Sequence, residues 1–388
     1  MLEGARILVT GGSGLLGSNL VRLLVSEAGA RPADIRVLFR PGDSLRGLAG
    51  VEGLELLAAD VADARAVEAA TGGRDLVFHL AGLASLDRRD LGRQWIANVL
   101  GSRNVLEAAA RSGRVRRLIY AGSVNVLGRP APGAEAELAD PYASRPRMHS
   151  FASAAEALAL ADATVEGGGV PRAVLRLRVG YHDSKLAALE LVERASREGR
   201  VDAVSVLPGT FFGPRGSEAG SGAYIAAVAG GRLPGVIALR LPLMHVEDAA
   251  RGLLLAAERG VAGRRYVVTG RDEDLLPLSA MASVIAEEAR LLLGSRPVPG
   301  LARAPRDRYP EVPRALAWVA AAASEAWAAA SGGPCALGFA ALRAAAWDGA
   351  YGHARASREL GYEPRRSFRE GAREALEWLY PSAARETT

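Results

Sequence analysis

Over the first 120 residues, short apolar runs alternate with stretches of helical period. The runs are Arg6–Thr10, Ile35–Phe39, Leu54–Ala59, Leu76–Leu80 and Arg117–Ala121, each five or six residues long and rich in Val, Ile and Leu. Such near-continuous runs suit strands buried on both faces. Between them, 15–28, 62–70 and 88–111 carry the i, i+3, i+4 spacing of helices. The alternation predicts an α/β fold with a doubly wound parallel sheet. Further strands are expected at Ala203–Leu207 and Arg265–Thr269. The segment 129–175, rich in Ala, Pro and Glu, breaks the rhythm; it reads as a loop with one short helix at 153–165, and as a candidate lid. After 270 the pattern is helical, at 278–293, 313–330 and 367–379. The expected domains are 1–207, with the strand near 263–269 returning to it, and a smaller, mostly helical region over 208–388 that binds substrate.

The net charge of +5 comes from scattered Arg, not from a run, which predicts no nucleic-acid partner. The single cysteine, Cys335, excludes an internal disulfide and fits a reducing cytosol. No signal-peptide pattern opens the chain, so a cytoplasmic protein is expected. The apolar stretch Ala315–Ala330 is mostly Ala and is interrupted by Glu325. That is too weak for a stable membrane span, though it leaves peripheral membrane contact open. No spacing suggests a metal site.

The first strand runs into Thr10-Gly11-Gly12-Ser13-Gly14-Leu15-Leu16-Gly17. Glycines at 11, 14 and 17 permit a tight exit from the strand, close approach of a pyrophosphate, and close packing of the following helix on the sheet. Strand, turn and helix follow in the order a Rossmann-type dinucleotide site needs, so Thr10, Ser13, Leu15 and Leu16 join the three glycines as candidate cofactor contacts. The second strand ends in Phe39-Arg40-Pro41-Gly42, with no acid before Asp43. Arg40 suits a 2′-phosphate, which favours NADP(H) and leaves NAD(H) as the alternative. Asp60, followed by Val61, can accept from an adenine amino group, and Leu80-Ala81-Gly82 lets the backbone pass beneath the adenine ribose. His79 reads as a packing residue.

Of the 48 Lys and Arg residues, one is lysine: Lys185. Tyr181 stands four positions before it, one helical turn away on the same face. A compact ammonium can shuttle protons where a guanidinium cannot, and could draw the phenol's pKa down. Ser123 ends the fifth strand at the carboxyl edge of the sheet, where ligands gather. Ser123, Tyr181 and Lys185 are the candidate catalytic group: Ser orients a substrate oxygen, Tyr passes the proton, and Lys holds the nicotinamide ribose.

Taken together, these motifs resemble the extended short-chain dehydrogenase/reductases. So do Asn98-Val99-Leu100-Gly101, Leu207-Pro208-Gly209-Thr210-Phe211-Phe212-Gly213-Pro214, His245-Val246-Glu247-Asp248 and 356–364. Phe39-Arg40-Pro41-Gly42 and the C-terminal helices are most similar to the 3β-hydroxysteroid dehydrogenase and dihydroflavonol reductase branch. The resemblance implies that Pro208, Gly209, Thr210 and Phe211 border the nicotinamide, and that Asn98 positions the active-site helices. It also implies a homodimer through the helices at 88–111 and 182–199. The implied activity is NADP(H)-dependent interconversion of a secondary alcohol and a ketone on a bulky apolar small molecule, with Phe211, Phe212, Trp318 and Trp327 as pocket lining. A nucleotide-sugar epimerase or dehydratase, or a non-catalytic NADP sensor, are the alternatives. The chain departs from the family in placing Ser123 and Tyr181 58 positions apart, because of the 129–175 insertion.

Overall fold

Branched apolar side chains dominate the strand segments, and the tightest of them, Ile7–Thr10 and Leu76–His79, are buried at every position. In chain order the strands are β1 Ile7–Thr10, β2 Ile35–Phe39, β3 Glu55–Ala58, β4 Leu76–His79, β5 Arg117–Ala121, β6 Ala203–Pro208, β7 Thr210–Phe212, β8 Val236–Ile237, β9 Arg240–His245, β10 Arg265–Val268, β11 Leu275–Pro277 and β12 Glu311–Val312. The computed structural model describes residues 2–85, 87–131, 134–143, 150–166, 169–176, 179–217, 220–293, 304–331, 342 and 351–381. Cys335 lies outside them, as do parts of the 129–175 insertion.

The chain divides into two compact units. The first holds Met1–Pro208, Ala250–Val268 and His353–Tyr362; the second holds Gly209–Ala249, Thr269–Gly352 and Glu363–Thr388. In the first unit seven parallel strands run in the order β10-β6-β5-β4-β1-β2-β3. The order reverses between β1 and β4, which makes a switch point at their carboxyl ends. Registers Thr10↔Leu38, Thr10↔His79, His79↔Tyr120 and Ala121↔Val206 bring those ends to one edge. Helices Leu15–Ser26, Ala64–Thr71, Gly101–Ser112 and Tyr181–Arg197 make the crossovers. Local chemistry sets their ends. Asp63 accepts from the backbone N–H groups of Arg65 and Ala66 to start one, and Gly113 at φ 60° stops another.

The insertion contributes more than a loop. Helix Ala154–Glu166 buries Ala157, Ala161 and Thr164, and Arg172–Arg176 adds a second, shorter helix.

In the second unit β9 lies between β11 and β7, and β8 pairs with β12. Its core includes Phe212, Ile225, Leu243, Ile285, Phe368 and Leu376. The Asp248 carboxylate accepts from the backbone N–H of Arg365, 3.0 Å, and of Arg366, 2.9 Å, and Ser367 with Glu370 forms a capping box at the start of Phe368–Leu379. Of the aromatic lining expected from the sequence, Phe211 is half-buried and Phe212 is not lining. Phe212 is fully buried, edge-on to Phe368 at 5.1 Å, and is core. Trp318 and Trp327 sit on the exposed side of helix Arg314–Ser331, whose buried stripe is Ala317, Ala321 and Glu325. Among the described residues no helix is long and apolar enough to cross a membrane, and no cluster of three His, Cys, Asp or Glu side chains could hold a metal.

Candidate active site

At the carboxyl end of β1, Gly11 turns at φ +72°, and a Cβ there would lie 2.7 Å from the Ala81 nitrogen. At Gly17 a Cβ would strike the Gly11 carbonyl oxygen at 2.3 Å. Both glycines are therefore demanded by packing. Gly14 differs: its φ of −75° suits any residue, and its nearest neighbour would be 3.4 Å away. The protein itself leaves that position room for a side chain. A dinucleotide's pyrophosphate, approaching the unblocked start of helix Leu15–Ser26, fits the turn and accounts for the missing Cβ.

Arg40 leaves the end of β2 half-exposed and donates to Asp43 Oδ1 at 3.0 Å. Ser13 Oγ donates to Asp43 Oδ2, also at 3.0 Å, so one carboxylate ties the candidate 2′-phosphate reader to the glycine turn. Asp60 is exposed and accepts from the Ala62 N–H, while Val61 is buried against Gly101. Leu80 N–H donates to the Thr10 carbonyl, holding Leu80-Ala81-Gly82 beside the turn. Pro208 ends β6; Gly209, Thr210 and Phe211 belong to the second unit.

Ser123, Tyr181 and Lys185 converge. Buried Ser123 accepts from the Asn125 N–H, which fixes its hydroxyl at the end of β5. Burial raises the pKa of the Tyr181 phenol, and a hydrogen bond with Ser123 partly offsets the rise. The net shift runs opposite to the expectation that Lys185 would make the phenol more acidic: burial dominates, and the group that opposes it is Ser123. Lys185 Nζ donates to the Ala121 carbonyl at 2.9 Å and lies 5.1 Å from the centre of the Tyr120 ring. Burial lowers its pKa to about 8.

A buried relay supports this group from below. Residues Ile96–Leu100 form one π-helical turn, and Asn98 lies in it. Asn98 Oδ1 accepts from the Leu83 N–H at 2.8 Å; Nδ2 donates to the Leu83 carbonyl at 3.1 Å and to Ser184 Oγ at 2.8 Å. Ser184 Oγ in turn donates to the Tyr181 carbonyl, 2.8 Å. Asn98 thus locks the loop beneath the candidate cofactor to the first turn of the helix bearing Tyr181 and Lys185. Ser102 Oγ donates to the Asn98 carbonyl, 2.5 Å, so His79 Nε2 carries its proton and donates to Ser102 Oγ, 2.9 Å. His79 Nδ1 then accepts from Thr10 Oγ1, 2.8 Å, which itself accepts from the Ala81 N–H, 3.3 Å. His79 is fully buried; burial first, and Lys185 second, lower its pKa to about 3 and keep it neutral.

The model of the NAD dependent epimerase/dehydratase family matches residues 7–177 and 150–269. The chain belongs to this family. A putative dihydroflavonol 4-reductase of Synechocystis sp. is 28% identical over 377 residues, 96% of this chain and 93% of its own. The 4-hydroxy-2-methyl-3-oxo-4-farnesyl-3,4-dihydroquinoline-1-oxide ketoreductase of Stigmatella aurantiaca is 29% identical over 264 residues, 68% of each chain. The UDP-glucose 4-epimerase of Thermus thermophilus, solved in complex with NAD, superposes with a TM-score of 0.63 at 20% identity, covering 96% of this chain and 98% of its own. That last likeness shows the shared fold.

This epimerase/dehydratase-family chain also uses residues that no motif marks. In the sequence Tyr120 is only a strand residue; its register opposite His79 puts its ring next to Lys185. Ser184 and Asp43 carry no motif, and only the tertiary contacts show that they hold Asn98 and Arg40.

Proposed function

We propose that the chain is an NADP(H)-dependent oxidoreductase that interconverts a ketone and a secondary alcohol on a bulky, mostly apolar small molecule. The observation that carries this reading is a phenol held in its neutral form beside Ser123, with a buried ammonium one helical turn away. A neutral phenol can donate the proton that ketone reduction requires. Ser123 Oγ would hydrogen-bond the carbonyl and orient it. Tyr181 would give its proton to the developing alkoxide, and the ammonium of Lys185 would stabilise the phenolate left behind. Further Lys185 donors would hold the nicotinamide ribose, Gly11, Gly14 and Gly17 the pyrophosphate, and Asp60 with Val61 the adenine. Bound NADPH would supply the hydride. Pro208, Gly209, Thr210 and Phe211 are proposed to border the nicotinamide.

Arg40 supports the choice of NADP(H), since a guanidinium suits a 2′-phosphate. Asp43 qualifies it: the Arg40–Asp43 pair must open to admit that phosphate. The apolar substrate class draws on the reductase relatives, one of which acts on a farnesylated ketone. The test is NADPH oxidation over keto steroids, dihydroflavonols and long-chain 3-keto acids, expected to give turnover on at least one class. The second reading is a nucleotide-sugar epimerase or dehydratase, favoured by the family and by the carboxylate of Asp43 at the candidate ribose site. Purified protein carrying tightly bound NAD, and turning over sugar nucleotides without added NADPH, would replace the leading reading.

A further inference from the structure

The helix that carries Tyr181 and Lys185 is buried over most of its length within a single chain. Ten consecutive residues, Asp183 to Val192, are buried, and on Tyr181–Arg197 only Arg197 is exposed. On its neighbour, residues 91–112, the exposed positions are Arg93 and Arg111. No large apolar side chain is exposed on either helix. A stable interface buries about 800 Å² per partner around an apolar centre, and this helix pair presents no such centre to a second molecule.

The insertion is what covers it. Helix Ala154–Glu166 lays Ala157, Ala161 and Thr164 against the pair. Thr164 Oγ1 accepts from Trp95 Nε1 at 2.6 Å, and Phe151 packs edge-on to Trp95 at 6.4 Å. The Asp162 carboxylate bridges both helices: it accepts from Arg103 Nη1 at 3.1 Å and from Arg194 at 2.8 and 2.7 Å. At the catalytic end, Asp183 accepts from the Ser150 backbone N–H at 2.7 Å and hydroxyl at 3.0 Å, and also from the Gly180 N–H at 3.2 Å. On the described outer face of the insertion helix the exposed residues are Ala155, Glu156, Ala159 and Ala163; elsewhere in the insertion Leu138 and Leu175 are exposed.

We infer that the insertion substitutes in cis for a second subunit: it occupies the face of the helix pair through which the family resemblance implies a dimer, so the chain is a monomer there, its catalytic helix clamped by its own segment 150–166. This rests on intrachain packing and is independent of the substrate reading. Sedimentation velocity on the full chain across the micromolar range is expected to give the monomer mass of 40.5 kDa. Ala161→Glu forces a charge into the helix–helix contact. It is expected to raise hydrogen exchange in Ser184–Val192 at least tenfold over wild type and to bring on concentration-dependent association. Thr164→Val, which removes the hydrogen bond from Trp95 and the one to the Leu160 carbonyl within the same helix, keeps the fold and is expected to raise exchange in the same stretch severalfold. A wild-type dimer whose exchange-protected surface is this helix pair overturns the inference. So does unchanged exchange at Ser184–Val192 in both variants.

Discussion

Lys185→Met separates the cost of a buried charge from its use. Burial lowers the lysine's pKa from its ordinary 10.5 to about 8. At about 1.4 kcal/mol per tenfold change in proton affinity, keeping it charged costs the folded protein about 3 kcal/mol. The side chain is almost wholly buried, so solvent screening does not reduce this figure. The sign follows from proton uptake. Between pH 8 and 10.5 the unfolded chain binds more protons than the folded one, so stability rises with pH across that window. The penalty is complete below pH 8 and gone above 10.5. Met also removes the donor to the Ala121 carbonyl, which makes the net effect at any one pH a poor test. The pH dependence is clean, because other titrating groups cancel between the two proteins. From about pH 7 to about pH 9.5, wild type should gain about 2 kcal/mol relative to Lys185→Met. Urea unfolding followed by tryptophan fluorescence, repeated at each pH, measures it. A difference that stays flat, or that falls as pH rises, would refute a buried ammonium held at a cost.

Tyr181→Phe should lower turnover by about 10²-fold or more while NADPH binding stays within about twofold; comparable losses in both would remove the phenol's role as proton donor. Asp43→Asn releases Arg40 and is expected to tighten NADPH binding by roughly threefold to tenfold, with NADH little changed, in fluorescence titrations. Equal effects on both cofactors would mean that Arg40 does not read the 2′-phosphate. Gly82→Ala places a Cβ 2.7 Å from Asn98 Oδ1 and 3.3 Å from Lys185 Nζ. Because Asn98 is held at three points, the variant should lose about 1–3 kcal/mol and bind NADPH more weakly, read by denaturation and titration. His79, with its pKa lowered from 6.5 to about 3, leaves the unfolded chain binding more protons between those values, so stability falls as pH drops through that window. His79→Gln should flatten the acid limb of the stability curve, and an unchanged limb would sink the assignment.

Six of the seven sheet strands are mostly buried and are legible because such strands write continuous apolar runs; β3, at the sheet edge, is largely exposed and shows only as a short run around Leu56 and Leu57. β7, β8, β11 and β12 are two or three residues long and too short to show a period. Segments 246–259 and 354–360 stand out in the sequence only as motifs, and both fold as helices. The glycine turn and the Tyr181/Lys185 spacing are readable because each is local. The direction of the phenol's shift is not, because it depends on burial, which spacing does not encode. In sequence Asp43 is an acid arriving too late after β2, yet the turn Arg40–Asp43 folds its carboxylate back onto Ser13. The motif around Phe212 suggests pocket lining; the residue is core, because β7 turns that side chain toward Phe368.

A chain with one lysine is also its own spectroscopic filter. Grown with isotope-labelled lysine, it would carry a single labelled ammonium, at the Nζ that rests on Ala121 and beside Tyr120. One resonance would then report on cofactor arrival, on proton uptake and on every variant discussed above that keeps Lys185, with no assignment needed and no background from the other 387 residues.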